Sequence, residues 1–236
     1  MEFLLTQYAA VFFSFPNDSG PIYKETIAGR FPVEPFNTYS NLIFLFIVIY
    51  FGLKVYKKPQ NHPFLIWILP IIAIAFIGGT VYHATRSAQI WLLMDWVPIM
   101  IASLAAVIYF IIKWTNTWRQ RIISACIIIG VFFALRDLPL PSHLRLSFGY
   151  LITALAIAVP VVGYLYKTRW HNVRDVIYAF SLFGLAVLFR ILDKRMNLDF
   201  FWMGTHWLWH SFGGLAVFFI IKYIYKDNNR VANGIS

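Results

Sequence analysis

Two histidines, His206 and His210, stand four residues apart in the run Gly204-Thr205-His206-Trp207-Leu208-Trp209-His210. On a helix that spacing places both imidazoles on one face, one turn apart. Two neutral imidazoles so placed can share one metal ion. The surrounding stretch, Phe200–Tyr225, is apolar and long enough to cross a bilayer. Ionisable groups at membrane depth are costly and usually functional. The competing reading is a pair of amphipathic histidines in the interfacial belt, beside the tryptophans that favour it. Two more residues bear on the choice, His83 and Asp95, each inside another apolar run. Three histidines with an open fourth position form the ligand set of a catalytic zinc, and a neighbouring carboxylate can orient and deprotonate an activated water. The single cysteine, Cys126, rules out a cysteine-rich metal site and an internal disulfide.

The elements that must position these residues follow from composition. Of 236 residues, 60% are hydrophobic and 13% charged, more apolar surface than a soluble domain of this size can hide. Seven stretches lie near the ~20 residues that a ~30 Å hydrocarbon core requires, the fourth being the shortest. They are Asn37–Tyr56, Pro63–Thr85, Gln89–Trp114, Arg121–Leu135, Leu146–Tyr166, Val173–Ile191 and Phe200–Tyr225. The fold expected is an all-α membrane protein, a seven-transmembrane-helix bundle. Residues 1–36 form an extracytoplasmic N-terminal segment, 37–225 the membrane domain and 226–236 a cytoplasmic tail. No cleavable signal peptide is expected, because no basic stretch leads into an apolar core at the N-terminus. The formal charge of +10 sits mostly in short loops, where it reads as topology signal and phospholipid contact rather than as a nucleic-acid surface.

Orientation follows from the loops. Twelve Lys and Arg fall on the side of the first, third and fifth loops and the C-terminus, against eight on the other side. The excess places the C-terminus in the cytoplasm and the N-terminal segment outside. The second span then ends outside, and the third and seventh begin there. At 1.5 Å per residue, Asp95 and His206 lie ~9 Å and His210 ~15 Å below the outer boundary, in reach of His83. Each residue also has a plainer role. His83 could bond a carbonyl at its helix end, Asp95 could pair with Arg86 or Arg190, and Gly78-Gly79 could be a close helix contact. Asp18, Glu25 and Glu34 precede the first span; such acids bind a hard cation such as calcium or are simply solvated.

The motifs resemble those of a known family. The run Glu34-Pro35-Phe36-Asn37-Thr38-Tyr39-Ser40-Asn41-Leu42 resembles the opening of the alkaline ceramidases. The runs Gly78-Gly79-Thr80-Val81-Tyr82-His83-Ala84-Thr85 and Leu92-Leu93-Met94-Asp95-Trp96-Val97-Pro98 resemble their second and third spans, and Gly204–His210 their last. The likeness covers both ends of the chain and is faint in the middle. The wider superfamily includes the adiponectin and progestin receptor family. The resemblance implies a zinc amidase that cleaves the N-acyl bond of ceramide-like membrane lipids. It implies zinc ligation by His83, His206 and His210, with Asp95 beside the metal, and a calcium site at Glu34 with Asp18 and Glu25. Two positions depart from the pattern. The family has a serine four residues before the first histidine where this chain has Gly79, leaving Thr80 as the nearest hydroxyl. The interval from His83 to Asp95 is one residue longer. A lipid receptor or binding protein with a structural zinc closed by Asp95 is the main rival, and a proton-relay transporter the second.

Overall fold

A computed structural model of the chain describes residues 15–195 and 202–234. Among these residues the regular structure is helical, without strands. The helices are α1 (Pro35–Ser40), α2 (Leu42–Val55), α3 (Pro63–Thr85), α4 (Gln89–Trp114), α5 (Trp118–Arg136), α6 (Ser142–Lys167), α7 (Val173–Arg195) and α8 (His206–Ala232), with one 3₁₀ turn at Pro59–Asn61. Taking α1 with α2, seven of these segments are long and apolar enough to cross a bilayer. The chain is a multi-pass, seven-helix membrane bundle.

The boundaries follow local chemistry. Proline opens α1 and α3, where the missing N–H costs no helical bond. Thr117 and Gln120 form a reciprocal capping box at the start of α5. The helix α3 stops at Arg86, which adopts the left-handed conformation (φ 49°, ψ 35°) and donates its N–H to the Tyr82 carbonyl at 2.8 Å. Proline also sits inside α3, α4 and α6, at Pro70, Pro98 and Pro160; packed neighbours make such breaks tolerable in membrane helices.

Around the bundle, α2 packs on α3, α3 on α4, α4 on α6, α6 on α7 and α7 on α8, and α8 closes back on α2. The helix α5 stands outside this ring, against α4 and α6, with Ile128 its one buried residue. Between Ile122 and Leu135 its outward surface is mostly apolar, suited to lipid. The core is built from Ile47, Phe51, Leu65, Leu69, Phe110, Leu165 and Ile224. It fills the end of the bundle away from His83.

Two boundaries differ from the sequence expectation. The last helix begins at His206, so His206 is its first residue rather than about two turns in; the expected start at Phe200 lies outside the described residues. Gly204 (φ 77°) turns the chain, and Asp193 of α7 accepts the Thr205 N–H at 2.8 Å, fixing that start. At its other end α8 runs past Tyr225 to Ala232. Asp227 and Asn228 are buried, and Asp227 accepts from Tyr164 and pairs with Arg230 and Lys113. The helix therefore continues through Lys226–Ala232, packed at Asp227 and Asn228 and exposed at Val231 and Ala232.

Candidate metal centre

At the end of the bundle opposite Asp227, two helices bring three imidazoles together. His83 lies in the last turn of α3; His206 and His210 occupy the first two turns of α8. All three are buried, at 0%, 4% and 5% exposure. Ring centroids are 4.5 Å apart for His206–His210, 4.9 Å for His83–His210 and 5.5 Å for His83–His206. One ring nitrogen of each lies within 4.8 Å of the other two, so the three could hold one metal ion.

The partners of these rings fix which nitrogens are free. His83 Nδ1 lies 2.5 Å from Glu34 Oε2. Burial works to raise the Glu34 carboxyl, but hydrogen bonds from His83, Thr26 and Arg86 outweigh it and hold the group below the usual carboxylate range. An ionised Glu34 can only accept, so Nδ1 of His83 carries the hydrogen and Nε2 carries the lone pair. Nε2 is buried with no partner. His210 Nδ1 faces Ser40 Oγ at 2.9 Å and the Asn37 carbonyl at 3.3 Å. A carbonyl accepts only, so this ring too directs its Nε2 lone pair away from α1. A hydrogen-bonded Nδ1 behind a free Nε2 is the usual support of a metal-binding histidine.

His206 is held differently. Arg190 of α7 donates from Nη1 to its Nδ1 at 2.8 Å. Guanidinium has no lone pair to accept with, so the neutral ring carries its hydrogen on Nε2. Presenting Nε2 to a metal therefore requires Arg190 to release Nδ1. Tyr23, from the N-terminal segment, stacks on the His206 ring at 4.0 Å and 17°. Burial pushes the Tyr23 phenol up, with Arg190 opposing, and the hydroxyl stays neutral at ordinary pH.

Asp95 sits in the second turn of α4, against the Gly79 stretch of α3. A Cβ added to Gly79 would come within 3 Å of both Asp95 Oδ1 and Asn41 Oδ1. The carboxylate thus occupies the space that a side chain at position 79 would need. Asp95 is not part of the group of ligand atoms within 4.8 Å of one another. Thr80 has a buried hydroxyl without a partner, one residue round the helix from the glycine that meets Asp95.

The N-terminal segment packs onto this end. The N–H groups of Val33 and Glu34 donate to the carbonyls of Ala84 and His83 at 2.9 and 3.0 Å, pairing the open end of α3. Asp18, Glu25 and Glu34 are all engaged. Asp18 takes a two-pronged contact from Arg86, at 2.9 and 2.6 Å. Glu25 accepts the N–H groups of Phe36 and Asn37 at 2.8 and 2.7 Å, at the start of α1. Glu34 accepts from Arg86 and Thr26, both at 2.6 Å, as well as facing His83.

The structure brings His83, His206 and His210 together and places Asp95 beside their layer. It keeps Thr80 without a partner and gives Glu34 a supporting contact to a histidine. Tyr23, Ser40, Arg86 and Arg190 contribute contacts that the sequence reading did not assign. Ser40, Asn37 and Arg190 could be grouped from sequence only as polar residues at the same end of the bundle; nothing local marks Tyr23. No protein-family model and no curated protein matches the chain. Fold and site together define a class, a seven-helix membrane protein with a buried three-histidine centre at one end.

Proposed function

We propose that the chain is a zinc-dependent membrane amidohydrolase that cleaves the N-acyl bond of ceramide-like lipids. The observation that carries the reading is the donor set. Two of three clustered histidines have Nδ1 anchored, Nε2 of His83 is buried without a partner, and a carboxylate stands beside the cluster without joining it. Imidazole nitrogens suit zinc among the common metals. The motif resemblance supplies the substrate class.

Zinc at such a centre supplies Lewis-acid activation of water and of the amide carbonyl. His83 and His210 are the ligands held ready, through Glu34 and through Ser40 with the Asn37 carbonyl. Asp95 takes the proton from the attacking water at a carboxylate oxygen and returns it to the departing amine. Tyr23 covers His206 on the loop side and limits bulk water there. The acyl chain runs among the spans, where Phe183 and Tyr150 lie against Trp209, the neighbour of His210. The positive-inside count supports an extracytoplasmic N-terminus, which puts this end of the bundle outside.

A structural zinc in a receptor-like bundle requires a fourth protein ligand, and Asp95 is the residue available. Its position outside the ligand group favours the enzyme. Purified protein should hold about one zinc per chain, from the three-ligand count, and release fatty acid from N-acyl sphingoid lipids. Asp95→Asn should keep zinc and lose turnover by ~10²–10⁴-fold. Zinc lost in that variant, with no hydrolysis by the wild type, would establish the staple instead.

A further inference from the structure

We propose that Arg86 is a built-in cation: its guanidinium takes the place of a divalent ion between the N-terminal segment and α3, and through Glu34 it positions His83. The inference goes beyond the amidase reading; its zinc readout rests on the metal centre proposed above, and its calcium readout does not. Five contacts converge on this side chain. Nε donates to Asp18 Oδ2 at 2.9 Å and Nη2 to Asp18 Oδ1 at 2.6 Å. Nη2 also reaches the Gly20 carbonyl at 3.3 Å, while Nη1 donates to the Pro21 carbonyl at 3.0 Å and to Glu34 Oε1 at 2.6 Å. Carboxylate and carbonyl oxygens from a loop are the ligand set of a hard cation such as calcium. Here all five N–H donors of the guanidinium have oxygen neighbours of that kind to serve.

The acids do not fit a calcium ion as they stand. Glu25 is spent on the N–H groups that open α1. Asp18 and Glu34 are spent on Arg86, and all three side chains of that group are 0% exposed. A calcium ion would have to displace a buried charge of its own sign along with its hydrogen bonds. Burial of Arg86 works against its charge, but the bonds to Asp18 and Glu34 more than offset this and hold its pKa above the usual arginine value.

Arg86 also holds the segment by its backbone. Its carbonyl accepts the Asn17 N–H at 3.1 Å, and its left-handed φ ends α3 at that point. The link to the metal centre is short. Glu34 bonds Arg86 through Oε1 and His83 through Oε2. Arg86 is thus a positioning residue: without it Glu34 carries an unpaired buried charge, free to turn from His83.

The test uses the full chain in detergent and two readouts, calcium binding by calorimetry and zinc affinity. Arg86→Gly keeps the left-handed backbone accessible and removes the guanidinium. The wild type is expected to take up no calcium at millimolar concentration, and its melting temperature should not move. Arg86→Gly should bind zinc ~10–100-fold more weakly, the usual cost of losing a supporting contact behind a ligand. Millimolar calcium should restore much of that affinity by entering the Asp18–Glu34 cage. Recovery by calcium separates a cation site from a general loss of packing. Stoichiometric calcium binding by the wild type that is lost in Glu34→Gln would overturn the proposal, as would Arg86→Gly with wild-type zinc affinity. Should Arg86→Gly fail to fold, the wild-type calcium titration still decides. None of these measurements uses hydrolysis, so they stand whether or not the chain proves to be an amidase.

Discussion

Gly78 and Gly79 are neighbours on α3, and the structure predicts opposite outcomes for the same substitution at each. A Cβ at Gly78 would press into Met94 of α4, including its carbonyl oxygen at 2.6 Å and its carbonyl carbon. Main chain cannot swing aside, so the two helices must separate. Overpacking costs about 1–3 kcal/mol, and three close atoms, two of them backbone, put Gly78→Ala at the upper end. The gain from replacing glycine in a helix returns about 1 kcal/mol. The net loss is about 2 kcal/mol, a fall of roughly 4–8 °C in melting temperature for a chain of this length. A Cβ at Gly79 would instead meet the tips of two side chains, Asp95 and Asn41. Those can rotate, so Gly79→Ala should stay within about 1 kcal/mol of wild type once the helix gain is counted. The displaced group is the proposed base, however. A misplacement of ~1 Å can cost ~10²-fold in rate, so Gly79→Ala should lose turnover on that scale while keeping zinc and fold. The assays are melting in detergent, metal content and lipid N-acyl hydrolysis on the same preparations. Wild-type turnover in Gly79→Ala would refute the placement of Asp95 at the reacting centre. An equal loss of melting temperature in both variants would refute the distinction between rigid and mobile neighbours.

Glu34→Gln should weaken zinc binding by ~10–100-fold, and Ser40→Ala by less, because the Asn37 carbonyl still meets His210 Nδ1; equilibrium competition with a zinc chelator measures both. Thr80→Ala should leave hydrolysis near wild type, since the hydroxyl has no partner; a loss comparable to Asp95→Asn would give Thr80 the role that Gly79 leaves vacant. A reporter fused after Ser236 should be active only in the cytoplasm, as the Lys and Arg distribution requires, and activity on the far side would turn the metal centre inward.

The bundle was legible in the sequence because a bilayer imposes a length and a composition on each span. The spacing of His206 and His210 was legible because a helix converts four residues into one turn. Their depth was not. It assumed a helix starting at Phe200, whereas Gly204 and the Asp193–Thr205 contact start α8 at His206. That contact joins residues on two helices, which periodicity does not report. Glu34 shows the same limit. Its type and position before the first span suggested a cation ligand, and its partners, His83 at 49 residues and Arg86 at 52 residues along the chain, exist only once the N-terminal segment folds back. Tyr23 gave no signal at all, being one aromatic residue among 45 Phe, Trp and Tyr.

The two buried polar clusters of the bundle differ in how their charges and lone pairs are met. At the Asp227 end, a carboxylate receives Tyr164, Lys113 and Arg230, and Asp175 nearby receives Lys222 and Lys226. Each acid there faces cations of the same chain, and such a network ties helices together without calling for a ligand. At the histidine end the hydrogen-bond acceptors stand behind the rings rather than between them. Glu34 and the Ser40–Asn37 pair hold the Nδ1 hydrogens of His83 and His210. The opposite nitrogens are thereby left as bases, with His83 Nε2 buried and unpartnered. Leaving a buried acceptor unmade costs about 1–3 kcal/mol, and orienting neutral bases into one small space gains nothing in return unless a cation joins them. Arg86 fills that need among the carboxylates of the N-terminal segment, and Arg190 meets it at one nitrogen of His206. The lone pairs that remain, on Nε2 of His83 and of His210, are the physical reason to place a metal here, with His206 joining once Arg190 releases its Nδ1; the acids of the opposite cluster are each met by cations, and that cluster is read as structure.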